Sequence, residues 1–179
     1  MSIWDQITAA AANEFADIGD AGAATRIVLR LLMAMLLGGV LGFERESRGK
    51  SAGIRTHMLV ALGSALFILV PREGGASGVE VSRVIQGLLA GIGFLGAGAI
   101  VKGRPGENIE GITSAATIWM TAALGMAIAL GHALTAILAT ALALTILHFV
   151  PVPNLNGNKP TPSNDKTPKT AQEKSEPDS

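Results

Sequence analysis

The chain of 179 residues is 49% hydrophobic and carries 14 basic and 14 acidic residues, so its formal net charge is zero. A neutral chain has no overall positive field with which to attract nucleic acid, and the lack of cysteine excludes a disulfide framework and a thiolate metal site. The charges cluster between long apolar runs, which is typical of a membrane protein, so we expect the lipid bilayer to be a partner.

The N-terminal segment is acidic, with regularly spaced apolar residues. Its first 20 residues contain four acids and no Lys or Arg, whereas a cleaved signal peptide needs a basic start. We predict that residues 1–24 form an amphipathic segment along the outer membrane interface, with packing on the protein's own surface as the alternative. The apolar face comprises Ile3, Trp4, Ile7, Ala11, Phe15 and Ile18.

Five apolar runs follow, and each is a candidate transmembrane helix. A bilayer core of ~30 Å needs about 20 helical residues, so the runs are adequate to slightly short. They occupy residues 27–43, 56–70, 84–101, 113–130 and 133–150. We therefore predict an all-α, polytopic membrane protein with about five transmembrane helices in a domain of residues 25–150.

The third run contains GIGFLGAG, residues 91–98, which matches the G-x-G-x-x-G pattern of dinucleotide-binding loops. Such a loop joins a strand to a helix in water, whereas these glycines lie inside an apolar run of 18 residues. We interpret them as helix-packing positions, because small residues at four-residue spacing let two backbones approach in lipid; a glycine-lined pathway or a kink is the alternative. The predicted packing positions are Gly38, Gly42, Gly87, Gly91, Gly93, Gly96 and Gly98.

The distribution of Lys and Arg predicts the orientation of the chain. Ten of the 14 basic residues follow the first, third or fifth run. Because basic residues stay on the cytoplasmic side, we predict the N-terminus outside and the C-terminus in the cytoplasm. Residues 151–179 are rich in Pro, Ser, Thr, Asn and Lys, and we predict a disordered cytoplasmic tail.

Residues 42–57, between the first two runs, contain seven ionisable side chains. Burying Arg55 in a membrane would cost ~2.5–3.5 kcal/mol unless it is paired or reaches water, so we predict an ion pair with Glu44 or Glu46. A functional site and structural ion pairing both remain open here, and we expect His57 to be hydrogen-bonded rather than to bind a metal. The candidate polar-site residues in this segment are Glu44, Arg45, Arg55, Thr56 and His57.

Two parts of the chain share a spacing. Leu37–Gly38 and Gly53–Ile54 recur 58 residues later as Leu95–Gly96 and Gly111–Ile112. This offset suggests an internal parallel repeat of the kind found in transporter folds. Chance similarity in a sequence rich in Gly, Ala and Leu is the alternative.

The second and fourth runs begin on the predicted cytoplasmic side, with Thr56 and with Thr113 or Ser114 as candidate N-caps. Two positive helix ends near Arg45 and Arg55 would favour an anion or an acidic partner. Carboxylates at the same side could instead hold a hydrated Mg²⁺, and we expect no other cofactor. Those carboxylates are Glu44, Glu46, Glu107 and Glu110.

Three ordered segments resemble the membrane domain of the MgtC/SapB family, over about residues 25–150. They are GFERESRGKSAGIRTHMLVALGSALFIL (42–69), SRVIQGLLAGIGFLGAGAIVKG (82–103) and EGITSAATIWMTAALGMAIALG (110–131). Many members have an acidic residue two or three positions before the arginine that matches Arg83, and Glu80 is the nearest here. The matching motif positions are Glu44, Arg45, Gly53, Arg55, Thr56, Arg83, Gln86, Gly91, Gly93, Gly96, Gly98, Gly111, Thr113, Ala115, Ala116 and Trp119.

The resemblance implies a bacterial inner-membrane protein of about five spans. Members are linked to growth in low magnesium, to survival inside host cells and, in some cases, to inhibition of the F-type ATP synthase; an early assignment as a magnesium transporter is disputed. Many carry a soluble C-terminal domain where this chain has its polar tail.

Three functions follow from these patterns. A non-enzymatic regulator would contact another membrane complex, such as the F-type ATP synthase, through the glycine faces, which would also support a homo-oligomer. The alternative is a transporter or channel for Mg²⁺ or another small ion, with Glu44, Arg55 and Gln86 near its pathway. An enzyme is the least supported, because no nucleophile, base and orienting group occur at an informative spacing.

Overall fold

The computed structural model describes residues 2–14, 21–102 and 109–151. Within these ranges the regular structure is helical apart from one short antiparallel pair of strands, β1 (Val101–Lys102) and β2 (Ile109–Glu110). The all-α prediction is therefore confirmed. The helices are α1 (Ile3–Glu14), α2 (Ala21–Ser47), α3 (Ile54–Glu73), α4 (Gly78–Ala99), α5 (Ile112–Ala129) and α6 (Ala133–Phe149).

Four helices, α2 to α5, are long and apolar enough to cross a membrane, and α6 is a shorter apolar helix of 17 residues. Contacts at both ends of α6 show that it runs parallel to α2. Gly131, just before α6, lies beside the Arg30 guanidinium, and His148 Nδ1 lies 3.3 Å from Arg48 Nη2. Arg30 and Arg48 are about 27 Å apart along α2, close to the ~30 Å of a bilayer core, so α6 covers nearly the same thickness.

Helix α2 extends beyond the predicted first span and ends at Ser47. Glu and Arg are good helix formers, so residues 44–46 continue the helix instead of starting a loop. The helix stops where Gly49 adopts a left-handed φ of 66°. The N–H groups of residues 49 and 50 then donate to carbonyls of the last helical turn, in a Schellman motif.

Helix α3 does not use the predicted N-cap, Thr56, which lies within its first turn. The N-cap is Gly53, which has no capping side chain. Instead, the Ile54 N–H donates to Glu46 Oε2 at 2.8 Å. The prediction was wrong because a carboxylate from the preceding helix satisfies this donor, and no pattern within α3 itself reveals it.

Helix α5 begins directly after Gly111, so the predicted N-caps Thr113 and Ser114 also lie inside the helix. Gly111 has a left-handed φ of 90°, and an added Cβ there would collide with the Ala99 carbonyl oxygen. A glycine is therefore required at this position both for its conformation and for the close approach of α4.

Helix α4 begins at Gly78, earlier than the predicted third span. The Glu80 N–H donates to Ser77 Oγ at 3.3 Å, and the Ser77 N–H donates to Glu80 Oε2 at 2.7 Å. This reciprocal capping box fixes the start of α4. It also gives Glu80 a structural role and brings Arg83 and Gln86 into the first half of the helix.

Helix α5 lies at the centre of the bundle. Of its most apolar 18 residues 56% are buried, against 17% for the corresponding segment of α4. Helices α2, α3, α4 and α6 all contact it. Helices in lipid associate through close van der Waals packing, because the surrounding lipid is as apolar as their side chains. Small side chains make such close packing possible. The fully buried or nearly buried alanines are Ala34, Ala61, Ala65, Ala122, Ala129 and Ala136.

The spacing of 58 residues reappears in the helix contacts. An added Cβ at Gly38 would lie 2.6 Å from the His57 carbonyl oxygen, and one at Gly96 would lie 3.8 Å from the Ala115 carbonyl oxygen. Each residue of the second contact is 58 positions after its counterpart in the first. The pairs α2–α3 and α4–α5 therefore share an antiparallel register, as an internal repeat requires.

Helix α1 leaves its apolar side chains exposed, with Ile3 at 74%, Trp4 at 75% and Ile7 at 51%. They are not buried against the bundle, and the interfacial position of this helix stays a prediction. Phe15, Ile18 and the predicted tail beyond Pro151 lie outside the described residues.

Candidate functional site

Polar side chains join four helices at one end of the bundle, which we call the polar end. Arg48 near the end of α2 contacts His148 near the end of α6. Arg45 Nη2, in the last turns of α2, donates to Ser114 Oγ in the first turn of α5 at 3.4 Å. The capping bond from Ile54 attaches the start of α3 to the same place. Four of the ten predicted polar-site residues take part in the buried contacts at this end, and they are Glu44, Arg45, His57 and Ser114.

Arg45 is the most deeply buried charge at the polar end, with 3% of its surface exposed. Its Nη1 lies 3.8 Å from Glu44 Oε2, and its Nε has no hydrogen-bond partner in the described part of the chain. A cation in the last turns of a helix is favoured by the helix dipole. Among the described residues, Glu44 is the only carboxylate close to Arg45, and 3.8 Å is long for a charge-assisted hydrogen bond. The charge of Arg45 is therefore incompletely compensated by this part of the chain.

Glu44 lies between two guanidinium groups of its own helix. Its Oε1 is 2.5 Å from Arg48 Nε, one turn further along α2, and its Oε2 faces Arg45. The predicted pairing of Glu44 or Glu46 with Arg55 was therefore wrong. Glu46 is used as the cap of α3, and Arg55 points outward and is exposed, with no ion pair to any described residue.

His57 is fully buried, and its Nδ1 lies 2.9 Å from the Gly53 carbonyl oxygen. Because a carbonyl oxygen only accepts, Nδ1 must carry the proton, which leaves Nε2 as an acceptor in the neutral ring. Nε2 has no partner among the described residues. Glu44, Arg45, His57 and Ser114, which we call the polar cluster, thus combine burial with unfilled hydrogen-bonding capacity.

Gly38 and Gly42 lie where α3 crosses closest to α2. An added Cβ at Gly42 would lie 2.6 Å from Ile54 Cα and 3.0 Å from His57 Cβ, and one at Gly38 would meet both the His57 carbonyl and Ala61. These distances are too short for any side chain. The two glycines therefore allow α3 to approach and His57 to be enclosed.

The glycines of α4 have a different environment. An added Cβ at Gly96 would lie 3.6 Å from Ala115 Cβ, an ordinary van der Waals contact. At the other predicted packing positions on α4, which are Gly87, Gly91, Gly93 and Gly98, an added Cβ would meet no described atom within 4 Å. Arg83 and Gln86 on the same helix are also exposed. We define the open face of α4 as Arg83, Gln86, Gly87, Gly91, Gly93 and Gly98.

The remaining predicted site residues do not join the polar cluster. Thr56, Glu110 and Thr113 are exposed, and Glu107 lies outside the described residues. Among the residues that the structure describes, no group of three or more His, Asp or Glu side chains could hold a metal ion. Binding of Mg²⁺ at these carboxylates stays a prediction.

Sequence reasoning missed two arginines at the opposite end of the bundle. Arg72 Nη1 donates to the Ala129 carbonyl oxygen at 3.3 Å, and Arg30 lies beside Gly131 in the turn after α5. Both therefore neutralise the negative C-terminal end of α5. A basic residue in the last turn of α3 was the available signal, but its partner belongs to a distant helix.

Comparison with known proteins identifies the family. Residues 31–154 match the model of the MgtC family. This chain belongs to the MgtC family. No solved structure matches it.

Several known proteins are similar to this MgtC-family protein over more than 100 residues. Protein SrpB of Synechococcus elongatus is 50% identical over 115 residues, covering 57% of this chain and 62% of the relative. The Escherichia coli protein named "Putative magnesium transporter YhiD" is 44% identical over 111 residues, covering 58% and 51%. Protein MgtC of Salmonella typhimurium is 44% identical over 117 residues, covering 65% and 49%. The match thus spans about half to three-fifths of these relatives.

Proposed function

We propose that this MgtC-family protein is a multi-pass protein of the bacterial inner membrane that acts as a non-enzymatic regulator of another membrane complex. Its role is in magnesium homeostasis and in stress or virulence-type adaptation. The observation that carries this proposal is the open face of α4, which combines polar side chains with glycines and is covered by no other described helix.

Gln86 is the first argument for a partner at this face. It is the ninth residue of α4 and lies about 12 Å from the helix start, well inside a ~30 Å bilayer core. An amide in lipid has neither water nor another donor or acceptor, and its hydrogen bonds are unfilled unless a second helix supplies them. Arg83, one turn earlier, adds a charge whose exposure to lipid is also unfavourable.

The glycines provide the second argument. Gly87 and Gly91 are four residues apart and exposed, so the backbone of α4 is open to a partner over at least one helical turn. Small residues at this spacing are typical of helix contacts in membranes. A transmembrane helix with small and hydrogen-bonding side chains fits this face.

The partner follows from the resemblance to the family. The F-type ATP synthase is the candidate complex, because some members inhibit it. A second copy of this chain would use the same face, so homo-oligomerisation and regulation would compete or alternate there.

The test uses matched leucine substitutions. Gly91→Leu blocks the open face of α4, whereas Gly63→Leu on α3 is the control, since an added Cβ at Gly63 also meets no described atom within 4 Å. A photo-crosslinking residue in place of Gln86 should capture a membrane protein in cells, and Gly91→Leu but not Gly63→Leu should abolish both the crosslink and growth in low magnesium. Equal effects of the two substitutions would contradict the proposal.

The second candidate is a transporter of Mg²⁺ or another small ion. A relative bears a magnesium-transporter name, and the polar cluster holds the Glu44 carboxylate and an unfilled acceptor on His57 inside the bundle. Purified protein in liposomes containing a magnesium-sensitive dye separates the two functions. Uptake above that of empty liposomes, lost in Glu44→Gln, would favour transport over regulation.

A further inference from the structure

An apolar groove of about 520 Å³ opens on the outside of the bundle between α2 and α3. This volume falls within the range of roughly 300–1,000 Å³ that is typical of small-molecule sites. All of its lining residues are apolar or glycine, among them Leu32, Met35, Leu36, Gly39, Phe43 and Met58. The groove is separate from the open face of α4, because all of its lining residues belong to α2 and α3.

The length of the groove matches one leaflet. Along α2 its lining runs from Leu32 to Phe43, which is about 16.5 Å of helix, or roughly half of a ~30 Å bilayer core. It reaches the polar end at Phe43 and at Ile54, the first residue of α3. The groove is therefore long enough to reach from the middle of a bilayer to the headgroup level of one leaflet.

Gly39 forms the floor of the groove. An added Cβ there would lie 3.3 Å from Met58 Cγ. One turn before and one turn after, Leu36 and Phe43 project outward and are 64% and 65% exposed. These bulky side chains would hold off the backbone of another helix, whereas a thin and flexible chain fits the gap. Met58, which is itself flexible, can adjust to such a chain.

The mouth of the groove is basic. Arg55 follows Ile54, is exposed, and forms no ion pair with any described residue; Lys50 in the preceding loop is also exposed. The two nearby carboxylates are already engaged, Glu44 by Arg48 and Glu46 by the start of α3. An anion at headgroup level would therefore meet uncompensated positive charge.

We propose that this groove binds one acyl chain of an anionic phospholipid, with the lipid phosphate beside Arg55 and Lys50. The apolar lining accounts for the chain, the leaflet-length span accounts for its depth, and the basic mouth accounts for the headgroup. The site is independent of the proposed regulatory function, because it uses α2 and α3 rather than the open face of α4.

The test titrates detergent-purified full-length protein with phosphatidylglycerol or with phosphatidylcholine of the same acyl chains, and counts bound lipids by native mass spectrometry. The wild type should hold one phosphatidylglycerol with roughly five-fold preference over phosphatidylcholine. Arg55→Gln should lose the preference, while Arg26→Gln, at an exposed arginine near the start of α2 and away from the mouth of the groove, should keep it.

Filling the groove provides the second arm. Gly39→Leu should remove the tightly held lipid, and Gly63→Leu should not; Val40→Phe repeats the test from an exposed lining position if Gly39→Leu does not fold. Equal binding of the two lipids, or retention of the bound lipid when the groove is filled, would overturn the proposal. Full displacement of the lipid by soluble glycerol phosphate would also overturn the proposal, because it would show a site for the headgroup alone. If Gly39→Leu abolished a dimer and left lipid binding unchanged, the groove would instead bind a second copy of the chain.

Discussion

Gly38 of α2 and His57 of α3 approach so closely that a single added carbon at Gly38 would lie 2.6 Å from the His57 carbonyl oxygen. The same approach leaves His57 fully buried beneath Gly42. The contact joins helix packing to the polar cluster, because α3 cannot move away without opening the space around the histidine. A change at residue 38 should therefore affect both.

Gly38→Ala should lower the free energy of unfolding by about 1–3 kcal/mol, the usual cost of overpacking a close contact. Gly63→Ala, at a position with no described atom within 4 Å of the added carbon, should be neutral or stabilising by up to about 1 kcal/mol, because alanine favours helices. Thermal unfolding in detergent compares the two. Similar destabilisation by both would mean that the α2–α3 contact is not the cause.

Arg45→Gln should be destabilising by about 1–3 kcal/mol, because the buried Ser114 hydroxyl and the Glu44 carboxylate lose a charged partner. Arg55→Gln should stay within about 0.5 kcal/mol of the wild type, as expected for an exposed side chain away from structural contacts. Chemical or thermal unfolding of both proteins in one detergent provides the measurement. A larger loss for Arg55 than for Arg45 would contradict the placement of these two arginines.

Glu46→Ala should free the Ile54 N–H and fray the first turn of α3, at a cost of about 1 kcal/mol, typical of a lost N-cap. Amide hydrogen exchange should become faster at residues 54–57 and stay unchanged at the opposite end of α3. Glu73→Ala, at that opposite end, serves as the control. Unchanged exchange in the first turn would show that another group caps it.

The chain has no cysteine, so its orientation can be tested by single cysteine substitutions. Ser51→Cys at the polar end should react with a membrane-impermeant maleimide only after the cells are opened. His132→Cys, exposed in the turn between α5 and α6, should react in intact spheroplasts. The reverse pattern would place the polar end outside the cytoplasm.

The apolar runs were sufficient to predict the helices, because burial in lipid depends on composition that can be read along the chain. Their ends were less predictable. Residues 44–46 were assigned to a loop because they are charged, although Glu and Arg are good helix formers. The cap of α3 comes from Glu46 in another helix, a relationship that no local pattern contains.

The glycines show the same limit. Gly38 and Gly42 have the same spacing as Gly87 and Gly91, yet the first pair lies against α3 and the second pair is open. The four-residue spacing of glycines predicts that another helix can approach closely. Which helix occupies that position depends on the arrangement of the whole bundle. The pairing of Arg55 failed for a similar reason, because its direction is set by the first turn of α3.

The shared register of α2–α3 and α4–α5 makes these two hairpins equivalent, but their surroundings differ. Helix α6 lies against α2 and α5. The operation that exchanges the hairpins would carry α6 to a position against α4 and α3, and no described helix of this chain occupies it. A helix from a partner protein that bound there would be related to α6 by the same repeat symmetry. The packing of α6 against α2 and α5 therefore predicts how such a helix would pack against α4 and α3.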